Sequence, residues 1–157
     1  MPGQDKLTPF ERITQAVQAQ IPLVRAMERE LGREKAHRLV REALDAANRK
    51  TVAARGSLLD IETLAAEFAA FGEGVRYEFE TVERTDTLLR NHVTHCDYAA
   101  FMERIGARDL GALLICDSDF AMADELGLKL ERTKTCMQGD GMCNFCYTVK
   151  GVGAAKT

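Results

Sequence analysis

Between Asn91 and Val149 the chain carries all five of its cysteines, together with two of its three histidines, at the ends of short elements rather than along one apolar face. Cys96 falls where a strand gives way to a helix. Its sulfur is expected to face the unpaired N–H groups and the positive end of that helix, and both favour a thiolate. His92 and His95 are close in sequence and supply a proton acceptor, so the three residues are the materials of an activated nucleophile. The alternative for Cys96 is a small buried capping residue. Cys116 closes the apolar run ALLIC at a predicted helix C-terminus, which disfavours a thiolate, and reads as core. Asp117 and Asp119 follow where carboxylates stand against the helix dipole unless something holds them. One of them is a candidate base or a group that orients a histidine; a solvated loop is the alternative.

Cys143 and Cys146 form a CxxC. On a strand, residues three apart point to opposite faces, so these two sulfurs cannot jointly hold a metal. The HxxH of His92 and His95 has the same defect, and its spacing is shorter than that of a zinc finger. A mixed site of Cys96, Cys116, Cys143 and a histidine, with zinc as the metal, is the remaining metal alternative, although no cofactor is expected. Arg132 shares strand parity with Leu128 and Leu130 and is expected to point inward, where a guanidinium is costly without an anion. A buried salt bridge and a substrate carboxylate explain it equally. Gly139 and Gly141 read as turn residues and not as a phosphate loop. His37, among Arg33, Lys35, Arg38 and Arg41, reads as part of a solvated helix face.

Composition bounds what these residues can serve. The 157 residues are 46% hydrophobic, which fits one globular domain. A net charge of -3 with interleaved signs leaves no footprint for nucleic acid. No stretch is long and apolar enough for a membrane span, and the start MPGQDKLTPFERI lacks a secretory core, so a cytoplasmic location is expected. An odd number of cysteines in a chain of this size argues for reduced thiols.

The elements that position the candidates can be read in order. Thr8, Pro9 and Glu11 make a helix start with a capping box. Phe10, Ile13 and Val17 share a face of a short helix that Pro22 is expected to end or kink near Gln20. An apolar stripe resumes from Leu23, loosens at Gly32 and runs to Ala47, giving one long or two consecutive helices. Ser57 and Asp60 resemble a further N-terminus, with a stripe from Leu58 to Phe71 stopped by Gly72 and Gly74. Val75, Tyr77 and Phe79 alternate with charged residues as in a half-buried antiparallel strand, and Thr85 to Val93 is its expected partner. Helices from about Asp97 to Ile105 and Asp109 to Cys116 follow. Strands Leu128 to Cys136 and Cys143 to Val149, joined by MQGDG, close the pattern. The fold class expected is α+β: N-terminal amphipathic helices (residues 1–74) packed on a small antiparallel sheet of about four strands with two intervening helices (75–150), then a tail at 151–157. The amphipathic helices are equally compatible with a homo-oligomer.

Four spaced segments bear a resemblance. Cys96-Asp-Tyr-Ala, Ile-Cys116-Asp-Ser-Asp119-Phe, Glu-Arg132-Thr133-Lys-Thr135 and Gly139-Asp-Gly-Met-Cys143-Asn-Phe145 resemble the L-2-amino-thiazoline-4-carboxylate hydrolase family over the C-terminal third of the chain. Asn144 stands where that family usually has aspartate, and Cys136 and Cys146 are additional thiols. The resemblance implies hydrolytic opening of a small cyclic amidine or amide bearing a carboxylate. Cys96, His95, His92, Asp119 and Cys143 are then catalytic candidates, with Arg132, Thr133, Asn144 and Tyr98 toward substrate. In one version the Cys96 thiolate attacks the ring carbon; in another Cys143 is the nucleophile; in a third a metal on Cys96, Cys116 and Cys143 activates water. The competing class is a non-catalytic module binding a small ligand, a metal or an oxidant in the same cysteine-rich pocket.

Overall fold

The computed structural model describes residues 6–56 and 59–151. The expected cap at Ser57, with Leu58, and the tail beyond Gly151 lie outside the described residues. Thr8 opens helix α1 (Pro9–Leu31) with the expected capping box: its hydroxyl accepts the Glu11 N–H at 3.2 Å, and the Glu11 carboxylate accepts the Thr8 N–H at 2.8 Å. The helix does not end near Gln20. It continues through Pro22 for 23 residues. A proline inside a helix costs on the order of 3 kcal/mol, and the burial of Val17 and Val24 on either side of it offsets that cost. The break comes at Gly32, whose φ of 78° lies in the region that only glycine adopts freely.

Helix α2 (Arg33–Ala53) folds back on α1 from that glycine. This places His37 opposite Glu28 at 2.6 Å with 17% of its side chain exposed, so it bridges the two helices rather than lying on a solvated face. Helix α3 (Ile61–Ala70) is capped by Asp60, which accepts the Thr63 N–H at 2.7 Å. Its Leu64 and Phe68 are buried against the sheet.

Strands β1 (Tyr77–Arg84), β2 (Leu88–Cys96), β3 (Leu128–Glu131) and β4 (Cys143–Val149) form an antiparallel sheet in the order β1-β2-β4-β3. Strand β3 stops five residues short of the expected Cys136. Residues 132–142 form a loop in which Thr135 N–H donates to Asp140 at 3.0 Å and Gly139 and Gly141 take positive φ. The class is α+β, as expected, but the layering is finer. Among the N-terminal helices α3 lies against β2, whereas α1 and α2 pack mainly on each other and on the helical segments between the hairpins.

Those segments exceed the two expected. Helix α4 (Asp97–Arg104) is followed by a 3-10 turn at Arg108–Leu110, a π-type turn at Ala112–Cys116 and helix α5 (Ser118–Glu125). Helix α5 was hidden because SDFAMADE clusters its apolar residues instead of spacing them as a stripe. Two core clusters result, one between the sheet, α3 and α5, the other between α1, α4 and the π-type turn. Tyr77, Cys96 and Cys136 touch both.

Candidate active site

The two cores leave a cavity of about 530 Å³ between them. Helices α1, α2 and α3 supply one side, and the inner face of the sheet with α5 supplies the other. Exposed Arg12 and Arg55 border its mouth. Its deep wall carries Cys96, Cys116, Cys143, Asp119, Arg132 and Thr135. Cys96 is the last residue of β2, level with inward-facing Tyr77, and Cys143 opens β4 opposite buried Val93. Cys116 ends the π-type turn, a wide turn often found at functional sites. Asp119 lies in the first turn of α5. The acidic pair therefore stands at a helix N-terminus, where the dipole favours it, and not against a C-terminus as the sequence suggested.

Arg132 points inward, with 3% of its side chain exposed. It donates to Asp119 at 2.6 Å and to the Cys116 carbonyl at 3.0 Å, and its guanidinium lies 4.9 and 5.0 Å from the rings of Phe120 and Phe145. Burial works against its charge; Asp119 and Cys116 more than offset this and raise its pKa. Asp119 is half-buried, with 34% of its side chain exposed. Burial pushes its carboxyl up to about 6, against the downward pull of Arg132. A carboxylate so tuned can exchange protons near neutrality.

The thiols behave otherwise than the strand-to-helix junction suggested. Cys96 does occupy the N-cap of α4. The Tyr98 and Ala99 amides lie near its sulfur and pull its pKa down, though neither closes a full capping hydrogen bond. Burial outweighs them and pushes the thiol up to about 11. Burial likewise raises Cys116 well above the ordinary range, where nearby Asp119 adds to it, and Cys143 to about 12 despite the Cys136 N–H donated to its sulfur at 3.2 Å. At neutral pH all three are thiols.

The remaining candidates are elsewhere. His92, Thr133, Asn144 and Cys146 border another hollow of about 290 Å³ on the outer face of the sheet, with Arg90, Glu131 and Arg132, which also lines the cavity. Asn144 accepts the Thr133 and Lys134 N–H groups at 2.9 and 2.7 Å and donates to the Thr133 hydroxyl at 2.8 Å, pinning the loop after β3. An aspartate would accept the same two N–H groups, so this departure from the family pattern leaves the cavity unaltered. His95 is engaged by Asp97 at 2.9 Å and, like His92, does not border the cavity. A bulge between Val93 and Cys96 turns His95 away while Cys96 faces inward. Tyr98 does border the cavity, but its hydroxyl donates to the Phe71 carbonyl at 2.9 Å and its ring stacks on Phe71 at 4.2 Å. Three thiols share the cavity wall. Among the described residues, however, no three His, Cys, Asp or Glu side chains are gathered closely enough to hold a metal ion, so the zinc alternative does not fit this donor arrangement. Tyr77 and Phe145, which line the cavity, were not singled out from sequence. The strand parity they share with Cys96 and Cys143 was the available signal.

An α+β chain with thiols and a near-neutral carboxyl around one cavity has the makings of a small-molecule enzyme. The family model for L-2-amino-thiazoline-4-carboxylic acid hydrolase matches residues 10–147, and the chain belongs to that family. The match takes in the N-terminal helices as well as the C-terminal third that carries the recognisable segments. No curated protein and no solved structure matches the chain. None of the described helices is long and apolar enough to cross a membrane.

Proposed function

We propose that the chain is a hydrolase that opens a small cyclic amidine or amide in the cavity between the helices and the inner face of the sheet. The observation that carries this reading is the presence of Cys96 and Asp119 on the wall of one cavity in a member of this hydrolase family. Cys96 is the favoured nucleophile because the Tyr98 and Ala99 amides at the start of α4 stabilise the sulfur as it gains charge. Asp119 is the proton carrier because no histidine reaches the cavity and its carboxyl titrates at about 6.

The steps follow from those roles. Asp119 takes the thiol proton as the Cys96 sulfur bonds to the ring carbon. The ring bond from that carbon to sulfur or nitrogen then breaks, its electron pair leaves on the heteroatom, and Asp119 returns the proton there. Asp119 next takes a proton from a water that attacks the same carbon; Cys96 departs and recovers that proton. The sum is one water added across one ring bond, with the enzyme unchanged. Arg132 is a positioning residue. Its Nη1 and Nη2 groups donate to Asp119 and the Cys116 carbonyl and hold the base, while its buried Nε has no protein partner.

The test is incubation of the reduced protein with L-2-amino-thiazoline-4-carboxylate and related cyclic amidines and amides, following ring-opened product by mass spectrometry. Product lost in Cys96→Ser and kept in Cys146→Ser supports this reading. Loss in Cys143→Ser with retention in Cys96→Ser moves the nucleophile to β4. No product from any ring with folded, reduced protein favours a non-catalytic binding module.

A further inference from the structure

The cavity does not end at Asp119. A second hollow of about 190 Å³ lies between α3, α5 and the sheet, and shares Glu67, Phe71, Tyr77, Asp119, Met122 and Phe145 with the first. The rest of its wall is almost wholly apolar: Leu64, Phe68, Ala123, Leu126 and Leu128, with the ring of Tyr147. The one other carboxylate on that wall, Glu67, is held by Arg55 at 2.8 Å. Protein cores leave few voids larger than a water molecule. A dry apolar space of ~150 Å³ is enough to take a benzene ring. The charges beside this recess cancel, because Arg132 is matched by Asp119. An amino-thiazoline carboxylate has no apolar ring substituent to place there.

We infer that this recess is the specificity pocket of the site. Its occupant is an apolar substituent of short-alkyl or phenyl size, carried by the substrate on the side of the ring that faces Asp119 and Met122. The ring chemistry rests on the hydrolase reading above; the recess and its occupant do not.

Binding, not turnover, tests it. The full chain is titrated with linear amides from acetamide to hexanamide and with phenylacetamide, followed by NMR chemical-shift changes. Affinity rises by up to about fourfold per added methylene and levels off once the recess is filled, and phenylacetamide binds more tightly than acetamide. Met122→Trp and, separately, the milder Ala123→Val narrow the recess. With native circular dichroism retained, each flattens the series. A series flat in the unmodified protein overturns the inference, and so does one that survives both substitutions. If the amides show the graded pattern while no ring is opened, the hydrolase reading fails and the recess stands. Turnover of the unsubstituted ring with a flat amide series has the opposite meaning.

Discussion

Strand β4 places one cysteine on each face of the sheet, Cys143 inside and Cys146 outside, and the two faces are built for different ends. The inner face presents Cys96, Cys143 and Phe145 to a cavity shared with Asp119 and Arg132. The outer face presents Arg90, His92, Asn144 and Cys146, all partly open and bordering a hollow that no helix covers. On the inner face burial decides the chemistry: it lifts a carboxyl to about 6 and keeps the thiols protonated. On the outer face hydrogen bonds serve architecture, as where Asn144 ties down the loop after β3. Residue type alone does not make a site. Enclosure with a partner does.

That contrast is open to attack, most forcefully at Asp119. Asp119→Asn removes the proton carrier and should lower turnover ~10²- to 10⁴-fold. In the unmodified enzyme activity should rise with pH through about 6, and this limb should vanish in the variant. The stability effect of the same group has the opposite sign. Its folded pKa lies above the ordinary 3.8, so the folded chain binds the proton more tightly. Asp119 alone therefore makes folding less favourable as pH rises from 3.8 to about 6, with no further change above. Chemical denaturation at stepped pH reads this.

Arg132→Met sharpens the same point. Because 34% of the Asp119 side chain is open to water, removing its partner should cost less than the roughly 3–5 kcal/mol of a fully buried pair, and loss of the cation that holds the carboxyl down should move the activity limb above pH 6. A limb that stays put would mean Arg132 does not tune Asp119. The outer face should respond weakly. Asn144→Ala removes an acceptor of two N–H groups and should cost about 1–2 kcal/mol in thermal unfolding. Asn144→Asp, which keeps that acceptor, should be near neutral. Smallest of all, His92→Ala and His95→Ala should leave turnover within about twofold, since neither ring borders the cavity. A large loss in either would place the reaction on the wrong face.

Much of this was legible from local patterns. The capping box at Thr8, the alternation in β1 and the inward parity of Arg132 each depend on neighbours a few residues away, and each is present in the structure. The splitting of the CxxC between faces follows from strand geometry alone, with Cys143 buried and Cys146 outside. The errors came where the deciding contact is distant in sequence. Pro22 does not end α1, because core residues on both sides, Val17 and Val24, hold the helix together across it. His37 is drawn from solvent by Glu28 on the preceding helix. The dipole at Asp119 reversed because α5 is stabilised by packing on α2 and β3, not by its own periodicity.

The chemistry at Cys96 marks the division most plainly. Short-range pattern determined that this chain would be α+β, that a cysteine would sit at the junction of β2 and α4, and that an arginine would turn inward after β3. These are consequences of period, caps and parity, which a chain carries locally. Only the tertiary structure decided that Cys96, Cys116, Cys143, Asp119 and Arg132 would share one cavity while both histidines faced away. It also decided that the carboxyl of Asp119 would be pushed up to about 6 beside that cavity, and that the thiols would stay protonated. Those outcomes depend on how much water is excluded around each group and on which charge lies a few ångströms away. Both are properties of elements brought together from distant parts of the chain.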